Sequence, residues 1–81
     1  MGLAENLTAE TQKWLDKIRK ERMRISLADP ARAAFLDNID AYIADSDFFL
    51  EQHELIEAFE AVVWAWAYLE IGKDVGILKD V

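Results

Sequence analysis

Glu54, Glu57 and Glu60 stand three apart, and Glu70 and Asp74 stand four apart. On a helix such spacings place carboxylates on one face. Carboxylates at i and i+3 or i+4 can share Mg²⁺ with a pyrophosphate substrate. Glu54, Glu57, Glu70 and Asp74 therefore define one chemical reading, a Mg²⁺-dependent nucleotide pyrophosphatase built on helices. The plainer reading is a solvated helix face, because 16 acids in 81 residues produce this spacing easily. Glu70 falls by helical angle beside Phe59 and Trp66, toward the core side. A half-buried carboxylate has a raised pKa unless it is paired. Arg22, on the edge of the first apolar face, is its expected partner.

His53 is the sole histidine. A di-iron bundle needs Glu-x-x-His, and position 50 is Leu. Zinc needs more His or Cys than the chain has. Ser26 and Ser46 lie in no nucleophile-elbow context. No catalytic residue, metal or cofactor is expected, and the protein reads as a non-enzyme. The basic run from Lys17 to Arg24 offers a third reading. Lys17, Arg19, Lys20 and Arg24 could touch RNA weakly, although Asp16 and Glu21 dilute the run and no glycine-rich or aromatic platform adjoins it.

The last candidate is an apolar patch of Trp64, Tyr68, Ile71 and Val75. Tyr and Trp are enriched at interface hot spots, and exposed apolar patches are seldom idle. A chain this short also gains much from burying area between subunits. These four residues are the expected interface of a homodimer or larger assembly, or the site of another protein partner. The alternative is that the first helix or the tail Ile77-Leu78 covers them.

Three helices must position these groups, at about 8–26, 30–52 and 54–72. Thr8 reads as the first N-cap, with Glu10 in the first turn. Leu7, Trp14, Leu15, Ile18 and Ile25 share a face with Thr11 among them. Lys13, Lys17, Arg19, Lys20 and Arg24 lie opposite, with Asp16 and Lys20 placed to pair. Asp29-Pro30 is the clearest boundary, an N-cap followed by proline at the first helical position. In the second helix Phe35, Ile39, Tyr42, Ile43, Phe49 and Leu50 form the buried stripe. Ser46 interrupts that stripe, as if a large side chain faces it. Asp37, Asp40, Asp47 and Glu51 lie opposite, and Phe48 is expected to be exposed. The second boundary is Gln52-His53, where the apolar register shifts and His tolerates positive φ.

In the third helix Leu55, Phe59, Val62, Trp66 and Leu69 read as the core face. From Ala61 onward the helix is apolar nearly all round and expects cover on both sides. It ends at Gly72 or continues toward Leu78. The whole is one all-α domain over residues 1–81, a three-helix bundle built on an antiparallel hairpin of the second and third helices. The Trp14/Leu15/Ile18 face packs across that hairpin.

Composition agrees. Hydrophobic residues make up 53% and charged residues 31%, with one proline, three glycines and no cysteine. That is too few turn residues for a sandwich or barrel, and it excludes disulfides and thiolate metal sites. The net charge of −7 disfavours nucleic acid as a general partner. Residues 1–36 carry 7 bases and 5 acids, whereas residues 37–81 carry 2 bases and 11 acids. The simplest use of this split is internal, a basic first segment against an acidic remainder. No basic region precedes an apolar stretch at the N-terminus, as a signal peptide would require. Gly2 lacks the Ser or Thr at position 6 that myristoylation expects. The longest apolar run, 61–69, is far short of the roughly 20 residues of a membrane span. A cytoplasmic protein is expected.

The string DSDFFLEQHELIEAFEAVVWAWAYLEIGKDVGIL, residues 45–78, resembles family 357 among the domains of unknown function, a group of short archaeal proteins. The resembling features are the FFLE end of the second helix, the EAFEAVVWAWAYLE run, and Gly72 followed by Gly76. The match is good over the C-terminal half and loose over the first helix. That family usually has a glycine in the hairpin where this chain has Gln52-His53. The resemblance implies a small helical bundle and transfers no activity and no site residue.

Overall fold

A computed structural model describes residues 2–81. It contains helix α1 (Leu3–Arg22), strand β1 (Ile25–Leu27), a 3-10 turn (Pro30–Arg32), helix α2 (Ala33–Glu51), helix α3 (Leu55–Asp74) and strand β2 (Leu78–Asp80). The three helices form the expected all-α bundle, drawn out to 43 × 17 × 17 Å.

α1 starts five residues earlier than Thr8. That threonine is inside the helix, and its Oγ1 donates back to the Ala4 carbonyl at 2.9 Å. α1 also stops at Arg22, not at 26. Ile25 continues the apolar spacing of Ile18, so periodicity alone extends the helix. The backbone instead turns at Met23-Arg24 and enters β1. The tail after α3 is likewise a strand. β1 and β2 pair antiparallel, with Ile25 opposite Asp80 and Leu27 opposite Leu78. Two further bonds lengthen the ribbon, Ala28 N–H to the Ile77 carbonyl at 2.8 Å and Val81 N–H to the Arg24 carbonyl at 2.7 Å. Ile25, Ile77 and Leu78 thereby enter the core with Leu15, Ile18, Ile39, Val62, Ala65 and Leu69.

Asp29 and Pro30 act as expected. The Asp29 carboxylate accepts from Ala31 N–H at 3.0 Å, and Pro30 opens the turn that leads into α2. His53 has φ 57° and Gly76 has φ 80°. Each closes its helix in the same way. The His53 N–H bonds the Leu50 carbonyl at 3.1 Å, and the Glu54 N–H bonds the Phe49 carbonyl at 2.9 Å. The Gly76 N–H bonds the Lys73 carbonyl at 3.3 Å, and the Ile77 N–H bonds the Gly72 carbonyl at 2.9 Å. Both are Schellman closures, which satisfy carbonyls that a helix end leaves open. The first makes the hairpin, and the second sends the chain back to β1.

The buried face of α3 is rotated from the expected one. Ala58, Ala61, Val62, Ala65, Leu69 and Gly72 are buried, whereas Leu55, Phe59 and Trp66 are only half-buried. Small side chains let α2 approach closely. At Ser46 no large side chain faces the gap. Ala58 does, and the Ser46 hydroxyl donates to its carbonyl at 2.7 Å. Nor are Asp40 and Asp47 merely solvated. Asp40 accepts two hydrogen bonds from Arg22, at 2.6 and 3.1 Å, and Asp47 accepts from Arg19. The basic helix thus lies against the acidic one. Asp16 pairs with Arg19 at 3.7 Å rather than with Lys20.

Candidate functional site

The acidic candidates do not converge. Glu54, Glu57, Glu60, Glu70 and Asp74 are all exposed. Glu57 and Glu70 are thirteen residues apart on one straight element, or about 20 Å at 1.5 Å per residue. One chain therefore cannot bring Glu54, Glu57, Glu70 and Asp74 to one ion. Among the described residues no group of three or more His, Cys, Asp and Glu side chains is placed to hold a metal.

The expected Glu70–Arg22 pair is absent. Glu70 is exposed and lines a depression with Lys17, Lys20, Glu21, Arg24 and Trp66. The rotation of α3 carries it out of the core and away from Arg22. That arginine faces α2, where its hydrogen bonds to Asp40 hold the guanidinium pKa above the ordinary value. Partial burial opposes the shift, and the charges of Asp40 and Asp37 add to it. His53 is exposed at the hairpin, in a backbone role.

The apolar patch has a definite geometry. Residues 64, 68, 71 and 75 run along one edge of α3, on the side away from α1. Trp64 is 55% exposed, Ile71 55% and Val75 63%, and neither α1 nor the Ile77-Leu78 tail covers them. Tyr68 is half-buried, because Phe35 and Tyr42 of α2 pack on it. The rings make a continuous ladder. Phe35 meets Tyr68 edge-on at 5.1 Å, Tyr68 meets Tyr42 at 5.5 Å, and Tyr42 stacks on Trp64 at 6.3 Å and 21°. The sequence marks Phe35 and Tyr42 as members of the buried stripe only. Their 3.6-residue period marks the apolar face but not which of its members sit at its margin.

The opposite flank of α3 carries a second apolar surface that spacing did not announce. Trp14, Phe59, Val62, Val63 and Trp66 line a groove of about 260 Å³ between α1 and α3. Trp14 and Trp66 meet edge-to-face at 5.8 Å and 84°. The Trp66 indole N–H donates to the Trp14 carbonyl at 3.2 Å, so the floor of the groove is fixed. No helix among the described residues is long and apolar enough to cross a membrane.

A family model described as a protein of unknown function, DUF357, matches residues 8–78. The chain belongs to the DUF357 family. The match reaches past the C-terminal half into α1, where the sequence resemblance was loose. This DUF357 chain is also similar to a crystal structure of protein AF1782 from Archaeoglobus fulgidus, described as DUF357. Identity is 49%, with 99% of this chain and 100% of that chain covered and a TM-score of 0.90. No curated protein matches. Membership therefore brings this DUF357 protein a fold and no activity.

Proposed function

We propose that this DUF357 protein is a non-enzymatic interaction module that self-associates through the outer edge of α3. One observation carries the reading: Trp64, Ile71 and Val75 stand more than half exposed on a single edge, continuous with the ring ladder through Tyr42. Aromatic and aliphatic groups so placed are what interface centres are made of. The shape suits the role. Trp64 to Val75 cover about 16 Å of a rod 43 Å long, and a second copy laid along the whole flank would extend the contact toward the ~800 Å² per partner of a standard interface. A two-fold pairing sets each edge against its own copy, so every exposed apolar residue counts twice.

The test is absolute mass by light scattering across a range of concentrations, for the wild type and for Trp64→Ser with Ile71→Ser. Both positions are exposed, so the fold should persist by circular dichroism. The expected result is a dimer that the double variant shifts to monomer. A wild type that stays monomeric at all concentrations, or a variant of unchanged mass, overturns the proposal. Tyr68 is left intact, because it holds Phe35 and Tyr42 in place.

A further inference from the structure

We infer that the groove between α1 and α3 is a docking site for an acidic amphipathic helix of a partner protein. The groove and the self-association edge lie on opposite flanks of α3, so the two can be occupied together. Lys13, Lys17 and Lys20 are spaced four and three apart, which aligns them in one row along α1, and Arg24 follows in the turn after the helix. The helical part of the row spans about 10 Å, or two turns. It borders the groove: the Lys17 ammonium lies 4.7 Å from the centre of the Trp14 ring, and that of Lys13 lies 5.4 Å away.

The row differs from the other bases of α1 in what it does. Arg19 and Arg22 hold α2 through Asp47 and Asp40. Lys13 and Arg24 have only neighbours three residues away on their own segment, at 3.3 and 3.5 Å. Among the described residues Lys17 and Lys20 make no ion pair, in a chain whose net charge is −7. Glu21 and Glu70 line the same depression as Lys17, Lys20 and Arg24 without pairing with either lysine, which leaves these lysines to an external anion.

The chemistry beside the row decides what kind of anion fits. Trp14, Phe59, Val62, Val63 and Trp66 present apolar walls, and Val63 is 48% exposed. The Trp66 N–H is held by the Trp14 carbonyl and the Trp14 N–H by Glu10 at 3.0 Å, so neither indole offers a free donor to the groove. A phosphate backbone has nothing to place there, and Lys17 already lies over the Trp14 ring on which a base would stack. A helix fits both parts. Its apolar residues at i, i+3 or i+4, and i+7 seat between Trp14, Val63 and Trp66, and its acids face the lysine row at the same spacing. Charge complementarity fixes orientation and register.

The test uses the full chain and a synthetic peptide of about three heptads, with Leu at the two core positions and Glu beside them. Binding is read by calorimetry. The expected result is saturable binding that weakens as salt rises. Lys17→Glu with Lys20→Glu should weaken it at least about tenfold. The same variant should gain affinity for a peptide with Lys in place of Glu, whereas Val63→Glu should weaken both peptides. All three positions are exposed, so the variants keep the fold. Trp64→Ser with Ile71→Ser should bind the acidic peptide as the wild type does, which separates this site from the self-association edge. No saturation below about 1 mM, or equal binding by wild type and the charge-reversed variant, overturns the inference. So does tighter wild-type binding of oligouridylate or of phosphatidylserine vesicles, which assigns the row to nucleic acid or lipid. Loss of self-association in Val63→Glu overturns it as well, by giving the groove to a second copy.

Discussion

Replacing Gly72 by alanine sets two well-known effects against each other. Gly72 is in the last turns of α3 and is buried. In a helix interior alanine is favoured over glycine by about 1 kcal/mol. A Cβ built at Gly72, however, would lie 2.6 Å from Cε1 of Phe35, 2.7 Å from Cδ1 of Leu78 and 2.9 Å from Cγ of Leu78. Carbon atoms pack at about 3.5–4.0 Å, so both neighbours must retreat by about 1 Å. Neither has room. Phe35 is held edge-on by Tyr68, and Leu78 is a core residue of the ribbon. Such overpacking costs about 1–3 kcal/mol. The net expectation for Gly72→Ala is a loss of about 1–2 kcal/mol, which lowers Tm by about 4–8 °C per kcal/mol in a chain of this size. Urea and thermal unfolding followed by circular dichroism measure it. In a Leu78→Ala background the same substitution should cost less, because one of the two colliding side chains is gone. A stabilised Gly72→Ala protein, or equal costs in both backgrounds, would refute the claim that ribbon and α2 meet tightly at this glycine.

Further outcomes are expected at three other places. Ser46→Ala removes a buried hydrogen bond to the Ala58 carbonyl and should cost about 1 kcal/mol, whereas Ser46→Val should cost more by forcing α2 and α3 apart; urea midpoints give both. A double-mutant cycle of Arg22→Ala with Asp40→Ala should show a coupling of about 0.5–1 kcal/mol, the upper part of the range for part-exposed pairs, since the contact is two-pronged. The raised pKa of Arg22 means that its contribution is fully present below the unfolded value and is lost only as pH rises through the folded one. The stability difference between wild type and Arg22→Ala should thus be equal at neutral and mildly alkaline pH. His53→Gly relieves the left-handed backbone at φ 57°, and after the entropy cost of glycine should gain about 0.5 kcal/mol, read as a small rise in Tm.

Local chemistry was legible where one residue type answers one backbone need. Asp29-Pro30 marked a helix start, and His53 marked a positive-φ turn. The charge split between the first 36 residues and the rest pointed to a basic helix lying on an acidic one, which Arg19–Asp47 and Arg22–Asp40 carry out. The β ribbon was not legible. Its strands have three residues each, too few for a two-residue alternation to be told from a helical period. The rotation of α3 was hidden for another reason. A helix apolar nearly all round gives no preferred direction, and counting large side chains puts the core under Phe59 and Trp66. Close approach of two backbones selects a face rotated from that one, where Ala58, Ala61, Ala65 and Gly72 join Val62 and Leu69. Glu70 followed that misplacement outward, whereas the four-carboxylate set fails on its length along the helix. Trp64, Ile71 and Val75 lie outside the buried face under either choice and are exposed.

The inverted composition of α3 is itself an argument about function. A bundle that answered only to its own stability would turn Trp and Ile inward and Ala and Gly outward, since burying a large apolar side chain contributes about 1.5–3 kcal/mol. Here the small residues face α2, and Ile56, Val63, Trp64, Ile71 and Val75 stand exposed. Tight approach of α2 explains the small residues but not the large exposed ones, for polar side chains on those flanks would have left the α2–α3 contact unchanged. The two flanks also differ in their surroundings. The Trp64 flank continues into the Phe35–Tyr68–Tyr42 ladder, whereas the Val63 flank is bordered by the cations of α1. A single partner cannot match both, and a second copy fits the first better than the second. Under the two proposals above, α3 is the shared wall of both surfaces, with the hairpin holding it between them.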